Sequence, residues 1–262
     1  MSRRPLVIDT DPGVDDAIAL LVAANSPEVE LLGVTTVFGN VDLDQTTENA
    51  LRILELAGAV DIPVAAGARR PLVHAQLHRA AHVHGANGLG DVELPPAGRT
   101  AEATPAVRFL ADLLRGSDTA VTVCAVGPLT NIALLVASDP VAAARIERLV
   151  VMGGAYGSGN VTPTAEFNVW SDAEAAHRVL SSGLPITMVG LDVTRPTALD
   201  AAACARIGAS GPVGASAAAM LAHYLDHYVR MQGSPGVVIH DALAVLEAIT
   251  PGVLETVERR VS

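Results

Sequence analysis

Leu6-Val7-Ile8-Asp9-Thr10-Asp11-Pro12-Gly13-Val14-Asp15-Asp16 is an apolar run that ends in four carboxylates within eight residues, interrupted by Pro12-Gly13. The segment that follows, Ala17 to Ala24, carries no charge. This order predicts a buried strand, a tight turn, and a helix that begins at the acidic residues. Four like charges at one strand end repel one another unless a cation neutralises them. Oxygen ligands with no thiol nearby favour a hard ion such as Ca2+ or Mg2+. Capping of a helix N-terminus would account for Asp15 and Asp16, but not for all four.

Outward from this stretch, apolar strand-like runs alternate with helical patterns. Strands are expected at Val29 to Phe38, Ile62 to Ala65, Val121 to Val126, Arg148 to Met152 and Pro185 to Gly190. Helices are expected at Asp15 to Asn25, Asp44 to Gly58, Thr104 to Leu114, the stretch after Asn131 to Ser138, Ser171 to Ser182, Val213 to Met231 and Asp241 to Ile249. Two irregular stretches interrupt the pattern, Arg69 to Thr100 and Ala155 to Val169. The alternation predicts one α/β domain over residues 1–262, a mostly parallel open sheet with helices on both faces. Ligands of such folds lie outside the carboxyl ends of the strands. Asp9 to Asp16, Asn40, the Val126-Gly127 turn, Gly153-Gly154 and Asp192 all directly follow strands.

Composition removes several function classes. A net charge of −11 and 3% aromatic residues argue against nucleic-acid binding. All 17 basic residues are arginine, which excludes Schiff-base chemistry and a P-loop lysine. Cys124 and Cys204 lie in apolar or Ala-rich surroundings and read as buried free thiols of a reducing compartment. The two arginines at Arg3-Arg4 precede an acidic strand end, too close for a signal-peptide core, and no unpunctuated apolar run reaches membrane-spanning length. A cytoplasmic protein without a membrane partner is expected.

Further polar groups could carry chemistry. Asn160, Glu166, Asn168 and Asp172 crowd the second irregular stretch, and His240-Asp241 precedes an apolar helix. Asp241 reads equally well as an ordinary helix N-cap, and His240 as a structural histidine. His74, His78, His82 and His84 punctuate the long loop, but without cysteine and among Arg and Ala they make a poor zinc set. His223 and His227 lack the intervening glutamate of a metalloprotease helix and are expected on one side of a helix near the pocket.

Asp9-Thr10-Asp11-Pro12-Gly13-Val14-Asp15-Asp16-Ala17 resembles the signature of the nucleoside hydrolases, the inosine-uridine-preferring N-ribohydrolases. The resemblance continues through Thr35-Thr36-Val37-Phe38-Gly39-Asn40, His84-Gly85 with Gly88-Leu89, and Gly127-Pro128-Leu129-Thr130-Asn131. Met152-Gly153-Gly154, Glu166-Phe167-Asn168 and His240-Asp241-Ala242 then follow in family order. It implies that Asp11, Asp16, Asp241 and the Val126 carbonyl hold one Ca2+. It further implies that Asp15, Asn40 and Asn168 bind the ribose 2′- and 3′-hydroxyls and that Asn160 and Glu166 hold the 5′-hydroxyl end. Met152 and His84 join the substrate-binding set, and Asp9 supports the cluster from behind. The implied partner is a small-molecule ribonucleoside, met in base salvage or nucleoside catabolism, and the implied assembly is a homo-oligomer, dimer or tetramer.

The implied reaction is Ca2+-dependent hydrolysis of the N-glycosidic bond through an oxocarbenium-like state stabilised by carboxylates. Asp11 would take a proton from water acidified by the cation, attack opposite the base would invert C1′, and His240, or else His84, would donate to the departing base. The family pattern usually continues for roughly fifty residues beyond the helix after His-Asp, whereas this sequence ends at Val261-Ser262.

Three rival readings exist. A haloacid-dehalogenase-like phosphatase shares Asp9-x-Asp11 but not the continuation, and needs a later lysine or arginine beside the phosphate. An EF-hand loop counted from Asp9 would need glycine and glutamate where Val14 and Leu20 stand. A catalytically weak nucleoside- or sugar-binding homologue is opposed by the intact carboxylates.

Overall fold

The computed structural model describes residues 3–74, 79–232 and 236–261. In chain order the elements are β1 (Arg4–Thr10), α1 (Val14–Asn25), β2 (Val29–Thr36), α2 (Leu43–Leu56), β3 (Val64–Ala66), α3 (Ala81–His84) and α4 (Ala106–Gly116). Next come β4 (Val121–Ala125), α5 (Thr130–Ser138), α6 (Pro140–Ala143), β5 (Ile146–Met152), α7 (Phe167–Ser171), α8 (Ala173–Leu180), β6 (Ile186–Val189) and α9 (Leu191–Thr194). The chain continues with β7 (Ala198–Leu199), α10 (Ala201–Gly208), α11 (Pro212–Gln232), β8 (Val237–Val238) and α12 (His240–Ile249).

Six strands form one parallel sheet in the order β3-β2-β1-β4-β5-β6. The chain starts at β1, winds outward through β2 and β3, then returns to β4 on the other side of β1. The crevice at the carboxyl ends of β1 and β4 is therefore the point where strand order reverses, the place where such sheets bind ligands. Alternate residues of each strand serve opposite faces. Leu6 and Ile8 of β1, Cys124 of β4 and Val150 of β5 pack with α1, α2, α11 and α12, whereas Val7, Val123 and Val151 pack with α4, α5 and α8. Each fully buried aliphatic side chain contributes about 1.5–3 kcal/mol of burial free energy.

The uncharged stretch after Asp16 has its reason here. Helix α1 is buried almost all round, between the sheet and α12, α2 and α11. That packing fixes two loop ends together: the β1–α1 turn with its carboxylates, and the N-terminus of α12 with His240-Asp241.

Several expectations need correction. The long loop Arg69 to Thr100 contains α3, a single helical turn that carries His82 and His84. Asp241 is not an N-cap; Ile239 holds that place, and Asp241 sits inside the first turn of α12. The short antiparallel pair β7-β8 and helices α6, α9 and α10 add to the expected pattern. His78 of the histidine series lies outside the described residues, and His74 faces Glu174 on α8 at 3.6 Å.

Candidate active site and metal centre

The β1–α1 turn is held by its own carboxylates. Asp16 accepts from Gly13 N at 2.9 Å, which caps α1, and from Thr10 Oγ1 at 2.5 Å. Capping and clustering are therefore both true of Asp16. Asp9 accepts from Thr35 Oγ1 at 2.5 Å and Asn131 Nδ2 at 2.7 Å, tying β1 to β2 and α5 behind the turn. Asp11 Oδ2 accepts from Asn40 N at 2.8 Å, while the Asn40 amide donates to Asp11 O and Asp16 Oδ2.

The Asp11 carboxylate occupies space that only glycines leave. A Cβ on Gly39 would overlap Asp11 Oδ2, and one on Gly127 would stand 2.5 Å from Oδ1. Two strand-end turns thus close on one side chain. These glycines belong to Gly39-Asn40 and Gly127-Pro128, the post-strand signals read in the sequence.

One oxygen each of Asp15, Asp16 and Asp241 lies within 4.8 Å of the other two, although Asp241 stands more than two hundred residues along the chain. All three are buried. The structure thereby draws Asp15, rather than Asp11, into the tight three-carboxylate group, while the Val126 carbonyl accepts from Asn168 Nδ2 at 2.9 Å.

Burial and mutual repulsion raise these carboxyls. Asp15 is pushed up to about 7, first by desolvation and then by Asp16. Asp11 and Asp241 rise well above the carboxylate range for the same two kinds of reason, and desolvation raises Asp9 to about 6. Three carboxylates with oxygens within 4.8 Å of one another are relieved by a shared proton or by a cation in its stead. Asp11 Oδ1 and Asp9 Oδ2 are buried with no hydrogen-bond partner. An all-oxygen set of high negative charge with an orphaned oxygen fits a hard divalent cation.

Above the carboxylates is a cavity of about 180 Å3. Asp15, Asn40, Val126, Met152, Asn168 and Asp241 line it on the sheet side, and His82, His84, Tyr224, His227, Tyr228 and His240 on the α3–α11–α12 side. Asn160, Val161, Glu166 and Phe167 complete the wall. Every expected substrate-binding residue lines this cavity: Asp15, Asn40, His84, Met152, Asn160, Glu166 and Asn168.

Glu166 is also an N-cap. Its carboxylate accepts from Asn168 N, Val169 N and Gly154 N at 2.9–3.0 Å, and burial raises its pKa despite those bonds. It starts α7 so that Asn168 points at the Val126 and Met152 carbonyls.

Two tyrosines were not anticipated. Tyr228 Oη lies 2.9 Å from His240 Nε2, and Thr194 Oγ1 lies 2.7 Å from His240 Nδ1, so both ring nitrogens are engaged. Tyr224 packs with its ring centroid 5.0 Å from those of His84 and Tyr228. His84 Nδ1 accepts from Val14 N at 3.1 Å, which leaves Nε2 as the protonated nitrogen. Desolvation lowers His84 to about 3 and His240 to about 4, so both rings are neutral at pH 7. The available signal was the repeat His223-Tyr224 and His227-Tyr228, two His-Tyr pairs one helical turn apart in a chain with three tyrosines. Of the expected pair, His227 lines the cavity, whereas His223 is not among its lining residues and packs beside Gly90.

A sheet crevice with this pocket belongs to a known class of protein. The inosine-uridine preferring nucleoside hydrolase family model matches residues 6–262. A pyrimidine-specific ribonucleoside hydrolase of Enterobacter is 44% identical over 257 residues, covering 97% of this chain and 82% of that protein. Uridine nucleosidase 1 of Arabidopsis thaliana is 42% identical over 251 residues, 95% of this chain and 75% of that protein. Among solved structures, a purine-preferring ribonucleoside hydrolase from Gardnerella vaginalis superimposes with a TM-score of 0.94 at 35% identity, covering 98% of this chain and 83% of that one. The plant nucleoside hydrolase PpNRh1 gives 0.92 at 33% identity, with coverages of 97% and 81%. The chain belongs to the inosine-uridine preferring nucleoside hydrolase family. It is accordingly a hydrolase acting on N-glycosyl bonds.

Proposed function

We propose that this chain hydrolyses ribonucleosides to free base and ribose with one Ca2+ at the carboxylate cluster. The observation that carries the proposal is the convergence of Asp15, Asp16 and Asp241, of which Asp15 and Asp241 reach the floor of a cavity whose opposite wall includes the neutral His84 and His240 with Tyr224 and Tyr228. Asp11, Asp16, Asp241 and the Val126 carbonyl hold the ion. Bound there, Ca2+ supplies positive charge that lowers the pKa of water and engages sugar hydroxyls. Asp15 faces the cavity, and with Asn40 and Asn168 it receives the ribose 2′- and 3′-hydroxyls. Asn160 and Glu166 take the 5′ end.

Asp11 accepts the proton of the attacking water at Oδ1, the oxygen that has no other partner. The carboxylates stabilise the positive charge that develops on the sugar, and attack opposite the base inverts C1′. His84 offers Nε2–H to the departing base. His240 acts through the Tyr228 hydroxyl, because its ring nitrogens face Tyr228 and Thr194. A reducing-sugar assay across purine and pyrimidine ribonucleosides, with and without chelator, tests the reading. Ribose release that chelator abolishes and Ca2+ restores is expected; p-nitrophenyl phosphate turnover with no ribose release would replace it with the phosphatase reading.

A further inference from the structure

Between β6 and β7 the chain makes one short helix, α9, whose residues reach two walls of the cavity. On its outer side, Asp192 accepts from Tyr156 N at 2.5 Å and from Gly157 N at 2.9 Å. Arg195, at the end of the same turn, donates to Ser158 O at 2.8 Å, Ser158 Oγ at 3.1 Å and Gly159 O at 2.6 Å. Five charge-assisted bonds therefore hold four consecutive residues, and the next residue is Asn160, which lines the cavity. The Leu191 N–H donates to Gly154 O at 3.0 Å, which ties down the start of the same segment. Asn160 is then fixed from the far side, where its Oδ1 accepts from Phe167 N at 2.9 Å.

Backbone bonds from Gly159 N to Pro163 O and from Asn160 N to Ala165 O, both at 3.0 Å, hold the far end of the segment, and Tyr156 to Ser158 rest on Asp192 and Arg195. Tyr156 is 91% exposed and buries no apolar surface that would hold it. A loop without packing keeps its place by hydrogen bonds, and those of Tyr156 to Ser158 come from two side chains outside the cavity.

We propose that Asp192 and Arg195 are positioning residues that set the cavity wall from Tyr156 to Asn160 and act on substrate through Asn160. This rests on the nucleoside-hydrolase reading of the pocket. Because both residues are exposed, their bonds add little to global stability, and their effect is on binding. Holding the wall in place before substrate arrives lowers the ordering cost of binding, so loss of the anchor raises KM more than it lowers kcat.

The test is a double-mutant cycle in the full-length Ca2+-loaded enzyme, read as KM and kcat on the best nucleoside of the panel. Arg195→Ala and Asp192→Ala should each raise KM about tenfold with kcat within about threefold, and Arg195→Lys should recover part of the loss. In an Asn160→Ala background the same changes should alter KM less than about twofold, because their route to substrate is already cut. Equal KM penalties in both backgrounds, or no penalty in either, would overturn the proposal. Thermal midpoints within a few degrees of the parent guard against misfolding, and a large drop in midpoint that tracks the KM change would also count against it. Absence of ribose release by the unmutated enzyme from every nucleoside would instead sink the underlying reading.

Discussion

The Tyr228 hydroxyl lies 2.9 Å from His240 Nε2, and this one contact changes what His240 can do. A histidine whose other nitrogen is taken by Thr194 reaches a departing base only through the tyrosine. Burial keeps the imidazole neutral, with its pKa near 4, and pushes the Tyr228 hydroxyl upward, so the pair serves a departing base as a neutral hydrogen-bond donor in which His240 orients the tyrosine hydroxyl.

Tyr228→Phe and His240→Ala should therefore cost similar amounts of kcat on natural nucleosides, on the order of 10²–10³-fold for loss of a hydrogen bond to the charge developing on the base. The double variant should be little worse than either single one, since residues acting as a unit are not additive. A riboside with p-nitrophenolate as leaving group needs no such donor, and its turnover should survive both changes. Equal losses on both substrates would mean that the pair shapes the cavity instead.

The carboxylates give a pH prediction with a definite sign. In the unfolded chain they ionise near 3.8, whereas in the fold Asp9 titrates near 6, Asp15 near 7, and Asp11 and Asp241 well above the carboxylate range. The native state thus holds more protons, so these groups lose stability as pH rises. His84 and His240 oppose this below their unfolded value of 6.5, because their folded values are lowered to about 3 and 4. Above pH 6.5 the histidine contribution is complete and only the carboxylates still titrate. The chelated protein should lose several degrees of thermal midpoint between pH 6.5 and 8, at roughly 2–4 °C per kcal/mol for a chain of this size. On the proposed Ca2+ site, added Ca2+ should restore it, and by more at pH 8 than at pH 6.5, since a divalent cation competes with protons for the cluster. A chelated protein whose midpoint rises over this range would contradict the assignment.

The strand–helix alternation made the sheet legible, and Asp9 to Asp16 made half of the site legible, because both are written in contiguous residues. The missing parts are of a different kind. Strands β7 and β8 have two residues each, too few for an alternation to register. Helix α10 is Ala-rich with no apolar period, although Asp200 caps it by accepting from Ala203 N at 2.7 Å. Tyr224 and Tyr228, four apart on a long helix, read as core residues, and only the fold brings them to His84 and His240. Asp192 was legible as a post-strand acid, but its grip on Tyr156 and Gly157 depends on where an irregular loop travels.

The glycines around Asp11 give a third prediction. Gly127→Ala would put a methyl 2.5 Å from Asp11 Oδ1 and 2.9 Å from Val37 Cγ1, too close for either to stay in place. The carboxylate must turn away, so Ca2+ affinity measured by calorimetry should fall at least tenfold and kcat with it. Gly116→Ala, where a Cβ meets nothing within 4 Å, is the matched control and should change neither.

The last prediction concerns how Asp241 is held from a distance. Arg148 on β5 donates to Glu247 Oε1 at 3.1 Å and to the Glu247 and Ala248 carbonyls at 2.9 Å, while Glu247 accepts from Gly252 N and Leu254 N. Arg4 on β1 donates to the Ile249 carbonyl at the same helix end. The unsatisfied carbonyls at the C-terminus of α12 are thus answered by arginines from two sheet strands, and the opposite end of that helix carries His240-Asp241. Arg148→Ala leaves the Glu247 carboxylate, 3% exposed, without its cation, and should cost about 3–5 kcal/mol of stability by urea unfolding. Arg148→Met with Glu247→Leu removes both charges and should recover most of that cost, since paired apolar replacements of a buried ion pair are often neutral. The backbone carbonyls stay unanswered in the double variant, so α12 is stable but less firmly seated. Its Ca2+ affinity should therefore remain below that of the parent even where its stability matches. A double variant that regains stability and full Ca2+ affinity together would show that the arginine holds the fold alone and not the ligand at the far end of the helix.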